Sequence, residues 1–274
     1  MNLLLAGVVV VVSSGVAVAA LLFVRRNAPD GGYFHDGDRA AGVFGVLATG
    51  FAVLLGFIVF LAFASFDESR SGAETEALVL AQQFETAQFL PADAAADLGG
   101  ELICYGRFVV ESEWPRMEDG SPGGQLNPWG IALFETLKTV DPDGPTEEAA
   151  YSKWLDQTSD REEARRDRVH GAAGIIPWPI WLALVAMAAM IFVFMLFFAD
   201  SGERAVVQAL QIGTVVAVIV MTLLVIQLLN SPFHSGAGGL RPAAMERTLN
   251  LLEVQLAGLG ERAPLPCSEN GEAL

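Results

Sequence analysis

The sequence predicts an all-α integral membrane protein: four transmembrane helices in two pairs, with an all-α extramembrane domain between the second and third. Three observations lead there. Four apolar stretches, 2–24, 40–66, 175–199 and 206–229, have no charged residue in their interiors. Each is long enough to cross a hydrocarbon core of ~30 Å, which takes ~20 residues of helix. The intervening segment shows helix-period apolar stripes and no strand-period alternation. The chain is 53% hydrophobic and only 18% charged, with mean hydropathy +0.44; a soluble domain carries nearer a quarter charged residues. The boundaries are helices one and two in 1–66, the acidic helical domain in 67–174, helices three and four in 175–230, and an amphipathic helix with a loose tail in 231–274.

The first stretch reads as a retained helix. A secretory signal begins with a basic region, whereas here Arg25 and Arg26 follow the apolar run. The second stretch continues past the membrane as one long helix. Ala73, Ala77, Leu80, Phe84 and Ala87 recur at 4-3-4-3 spacing up to Pro91, with Gly72 as a weak point. A second domain helix starts near Ala92, turns Leu98, Leu102, Tyr105 and Val109 inward, and ends before Pro115. A Gly- and Pro-rich loop covers 118–126. Asn127 followed by Pro128 is a start signal for a short helix through Ile131, Phe134 and Leu137. After a turn at 141–145, a long charged helix runs from about Thr146 to His170. Pro177, Pro179 and two Trp open the third span, as at a membrane interface. The last helix starts near Pro242 with a stripe of Met245, Leu249, Leu252 and Leu256, and the chain from Gly260 reads as the loose tail.

The net charge is −16, and segment 67–175 holds 22 acidic against 9 basic residues. Nucleic acid is excluded as a partner, because phosphate binding needs a basic footprint. Four spans put the acidic domain and the tail on one face. Arg25 and Arg26 argue that the first connector is cytoplasmic and the domain extracytoplasmic; Arg161, Arg165, Arg166 and Arg168 before the third span argue the reverse. The first helix usually dominates, so the expected orientation places the domain outside the cytoplasm.

Several runs then resemble a known family: FHDGDR at 34–39, GVFGVLATG at 42–50, EWPRME at 113–118, NSPFHSG at 230–236 and GLRP at 239–242. Together they resemble the bacterial bestrophin-like family of unknown function, over nearly the whole chain. The Ser-Pro-Phe run after the fourth span is similar to the Asn-Pro-Phe-Gly run of true bestrophins, which are pentameric calcium-gated anion channels. The resemblance implies an oligomeric anion channel of a bacterial cytoplasmic membrane. It also implies a cytosolic domain between spans two and three, against the orientation above. Calcium gating is not implied, because His234, Ser235 and Gly236 stand where the bestrophin acidic cluster would follow.

No catalytic signature is present, and neither an enzyme nor a cofactor is expected. Gly42, Gly45, Thr49, Ala52 and Gly56 form a small-residue seam, fit either for packing within the subunit or for an oligomer axis or pore. Phe57, Phe60 and Phe63, continued by Phe66, are candidates for an apolar neck or for lipid-facing aromatics. His170, His234, Asp67 and Glu68 flank the spans on one face, as candidate metal ligands or plain interfacial residues. Cys104 and Cys267 share that face; an oxidising compartment would join them. The expected partners are the lipid bilayer and further copies of the chain. A membrane scaffold or envelope sensor, whose helical domain binds another protein, is the alternative reading.

Overall fold

The computed structural model describes residues 3–121, 127–258 and 265–274. The described residues are helical apart from connecting turns and one isolated β-bridge between Cys267 and Ala273. Four helices are long and apolar enough to cross a membrane: α1 (Leu3–Arg25), α2 (Gly37–Ala87), α7 (Trp178–Leu196) and α8 (Ala205–Leu229). Between α2 and α7 lie α3 (Ala92–Phe108), α4 (Trp114–Glu118), α5 (Pro128–Lys138) and α6 (Pro145–His170); α9 (Ala243–Gly258) follows α8. The chain divides into two compact units. The first holds the described residues up to Ala64 with Ile175–Asn230 and Gly236–Gly238. The second holds Ser65–Gly174, Ser231–Ser235 and Gly239–Leu274.

In the membrane unit α1 lies along α8, the first span against the last. Phe51, Leu55 and Ile58 of α2 pack with Leu184 and Ile191 of α7 and Ile226 of α8. The FHDGDR run supplies a helix start. The Asp36 side chain accepts from the Arg39 N–H at 3.0 Å, satisfying a donor that the first turn leaves open, while the Phe34 ring stacks on Phe194 at 5.4 Å. The two short connectors meet: the Arg25 guanidinium donates to the carbonyls of Asp200 and Ser201, each at 3.0 Å, and to that of Glu203. At the opposite end, Asn230 Oδ1 accepts from the N–H groups of Ile175 and Ile176, both at 3.0 Å.

The helical unit has its own core, built on the expected stripe of α2. Ala77, Leu80, Phe84 and Ala87 meet Leu98, Leu102, Tyr105 and Val109, and Met245 and Leu252 of α9 close over them. Three features depart from the sequence reading, and one, the buried face of α5, adds to it. Gly72 is a close contact, not a weak point: a Cβ there would lie 2.5 Å from the Arg168 backbone N and 2.7 Å from the Ala164 carbonyl. The helix from Ala92 does not stop before Pro115. It widens into a π turn at Val109–Glu113 and runs on as α4, where Pro115 sits in a first turn that needs no N–H from it. In α5 the buried face is Trp129, Leu133 and Leu137, with Ile131 and Phe134 about half exposed. Finally, residues 265–274 are not loose. Trp129 Nε1 donates to the Gly271 carbonyl at 2.6 Å, Leu274 N donates to Pro266 O at 3.1 Å, and Gly271, at φ +74°, rests against the Phe108 backbone. Residues 260–264 of the expected tail, and 122–126 of the expected loop, lie outside the described residues.

Candidate functional site

Two arrangements stand out, one in each unit. In the membrane unit it is the free face of α2. Gly42, Gly45, Thr49, Ala52 and Gly56 are all exposed, and a Cβ built on any of these three glycines would meet nothing within 4 Å. At about 100° per residue the seam lies roughly 130° around the helix from the buried positions Phe51, Leu55, Ile58 and Ala62. So the seam does not serve packing inside the subunit. Phe57, Phe60 and Phe63 extend the uncovered surface, at 58%, 66% and 54% exposure. No charged side chain occurs on this stretch of α2. The unit also holds an apolar cavity of about 440 Å³ beside the connectors, lined by Leu21, Phe44, Met195, Phe198 and Ile212, with Glu203 at its polar edge.

In the helical unit the buried face of α6 carries charge. Ala150, Trp154, Gln157, Arg161, Ala164 and Arg168 are all buried, at 4-3-4-3-4 spacing. Arg168 is fully enclosed. Its Nη2 donates to Glu113 Oε2 at 2.5 Å and to Glu76 Oε1 at 3.1 Å, and its Nε donates to Glu76 Oε2 at 2.5 Å. The Tyr105 hydroxyl donates to Glu76 Oε1 at 2.6 Å, and Arg165 Nη2 to Glu113 Oε1 at 2.7 Å. Burial works against the Arg168 cation, but Glu76 and Glu113 outweigh it and hold its pKa above the ordinary arginine range. Burial first, and then the Glu76 charge, push the Tyr105 phenol well above its usual value. The π turn presents Glu113 to this cluster, and the EWPRME run thereby joins NSPFHSG: the Trp114 ring meets Phe233 edge-on at 5.2 Å. Sequence reasoning missed Arg161 and Arg168, because hydropathy assigns arginine to the solvent face. The continuing heptad phase of α6 was the available signal.

The candidate metal ligands do not converge. Among the described residues no group of three or more His, Cys, Asp or Glu side chains is placed to hold an ion. Asp67, Glu68 and His170 are exposed, and His234 Nδ1 lies 2.8 Å from the Ser231 carbonyl oxygen. Cys104 and Cys267 are joined by a disulfide, with Cα atoms 5.8 Å apart across 163 residues of sequence.

Four apolar helices with a helical unit inserted between the second and third define a polytopic membrane protein. The chain belongs to the bestrophin-like family: residues 6–245 match the Bestrophin-like domain. No curated protein matches it. Among solved structures it is similar to a bacterial bestrophin homologue from Klebsiella pneumoniae, at 13% identity over 94% of this chain and 99% of that one, with a TM-score of 0.65. A single-substitution variant of that homologue superposes at a TM-score of 0.68, with 14% identity over 91% and 97% of the two chains. At such identity the likeness shows the shared fold.

Proposed function

We propose that the chain assembles into a homo-oligomeric anion channel of a bacterial cytoplasmic membrane, with the uncovered face of α2 lining the conduit. The observation that carries this reading is that face. It is built of Gly42, Gly45, Thr49, Ala52 and Gly56, and nothing within the subunit covers it. Small residues let neighbouring backbones come close and are of no use against acyl chains alone. Around an axis, the same face offers backbone dipoles and the Thr49 hydroxyl to a passing ion, and Phe57, Phe60 and Phe63 form an apolar constriction of the kind that gates by dewetting. The spans carry no ionisable side chain in their interiors, which disfavours a proton-coupled transporter. Bestrophins are anion channels, and membership of the bestrophin-like family supports the same class here.

We also place the helical unit on the extracytoplasmic side. A bridge between Cys104 and Cys267 forms and persists in an oxidising compartment, and Arg25 with Arg26 favours the same orientation. The test uses proteoliposomes of the purified chain. Chloride flux is expected, raised by Phe57→Ala or Phe60→Ala. Silent vesicles with correctly inserted protein would overturn the channel reading and leave the scaffold. Thiol labelling of intact cells reads the orientation separately: cysteines that label without reductant, and only after lysis, would reverse it.

A further inference from the structure

Arg161 is a buried cation without a counter-charge. It is 1% exposed. Its neighbours on α6 are neutralised, Arg165 by Glu113 and Arg168 by Glu76 and Glu113. Arg161 instead donates from Nη1 to the neutral Gln83 Oε1 at 2.7 Å, and its guanidinium lies 4.9 Å from the centre of the Tyr105 ring. Its Nε is buried with no acceptor, and among the described residues no carboxylate lies within ion-pair distance of it. An uncompensated buried charge is strongly destabilising, and proteins keep one where something neutralises it.

Arg161 lines a cavity of about 390 Å³ between α5 and α6, a volume in the range of small-molecule sites. Arg165 and exposed Arg166 share the α6 wall, while Ile131 and Phe134 of α5 form an apolar wall. These last two are the residues that the α5 stripe turns away from the core. One exposed acid, Glu162, also lines it. We propose that this cavity is a binding site for a small organic monocarboxylate. The planar guanidinium fork suits the two oxygens of a carboxylate, the apolar wall takes its hydrocarbon part, and Glu162 disfavours multiply charged ligands. The proposal is independent of ion conduction, since binding is read on the purified chain without flux.

The experiment measures melting of the detergent-solubilised full chain with benzoate or chloride at constant ionic strength. Saturable stabilisation by benzoate and little by chloride are expected. Arg161→Met should abolish the benzoate shift without lowering the ligand-free melting temperature. Arg166→Met should weaken benzoate about tenfold, and Glu162→Gln should tighten it. These two exposed positions decide the matter if Arg161→Met does not fold: benzoate affinity unchanged in both overturns the site. No benzoate shift in the wild type, an equal shift in Arg161→Met, or an equal shift from chloride also overturns it.

Discussion

The two units of this chain bury different chemistry. In the membrane unit the buried side chains are apolar, with Gln208 the one buried polar residue described there. It sits at the start of α8, donating to the Asp200 carbonyl at 3.1 Å and to Glu203 Oε2 at 2.9 Å. The helical unit instead buries Glu76, Gln83, Glu113, Gln157, Arg161 and Arg168. In hydrocarbon an ion has no water to fall back on, so the membrane unit keeps its ionisable groups at helix ends and relies on shape. The helical unit uses paired charges to fix which faces of α2, α6 and the π turn meet. Apolar packing tolerates rotation and sliding, whereas a bidentate arginine between two carboxylates does not.

The largest way to break that contrast is Arg168→Met. It strands Glu76 in a dry interior and leaves Glu113 with Arg165 but not Arg168, a loss of ~3–5 kcal/mol for a broken buried pair. A large fall in denaturation midpoint is expected in detergent. Replacing Glu76, Glu113 and Arg168 together by apolar residues of similar volume should recover much of it, because no fully enclosed charge of the cluster is then left unpaired; Arg165, which loses Glu113, is partly exposed. If the triple variant is as unstable as Arg168→Met, the network acts through shape and not through charge pairing.

Next in size is the covalent tie. Cys104→Ala with Cys267→Ala frees residues 265–274 from α3, and a disulfide closing a long loop contributes ~2–4 kcal/mol. The same loss should follow reduction of the wild type, and the double variant should then be insensitive to reductant. A midpoint that reductant leaves unmoved in the wild type would mean that Trp129 and Arg107, through their bonds to Gly271 and Ser268, hold the segment unaided.

Two glycines of α2 compare the units directly. Gly72→Ala pushes a methyl into the α6 backbone and should cost ~1–3 kcal/mol, as overpacking does. A Cβ on Gly45 meets nothing within 4 Å, so with Gly45→Leu the subunit should melt as before while the oligomer weakens on native gels. Were Gly45→Leu and Gly56→Leu to assemble like the wild type, the seam would face lipid.

These residues also mark how far the sequence could be read. Helix existence was legible throughout, because apolar stripes at Ala77–Phe84 spacing and at Leu98, Leu102 and Tyr105 need no partner to be recognised. The seam was legible too, but not what it meets, since a periodic pattern defines a face and leaves its neighbour open. Three things were hidden. Buried Arg168 looks like a solvent residue until Glu76 and Glu113, 92 and 55 positions away, are brought to it, and Arg161 until Gln83 is. Ile131 and Phe134 look like core until Trp129 takes the inner position. The C-terminal segment has no apolar stripe, and its order comes from a disulfide and from hydrogen bonds that distant Trp129 and Arg107 donate to the Gly271 and Ser268 carbonyls. Three of the five runs that carried the family resemblance are joints: Asp36 caps α2, Asn230 ties α8 to the start of α7, and Glu113 anchors the charge cluster.

The smallest expected effect concerns Glu101, a half-buried acid in the helical unit. The Thr136 hydroxyl donates to its Oε1 at 2.8 Å, while Oε2 is buried without a partner. Burial raises its pKa above the ordinary 4.5, with the Thr136 bond opposing and the Asp97 charge adding to the rise. Its ionised form is therefore disfavoured by folding. Stability that this group allows in full below its unfolded pKa is lost as pH rises through the higher folded value. Glu101→Gln keeps the shape and removes the charge. The variant should melt slightly above the wild type at neutral pH, and the gap should close as pH falls into the carboxylate range. Paired melts across that range make the comparison. A gap that stays constant with pH would assign the gain to altered hydrogen bonding at Thr136 and not to the buried charge.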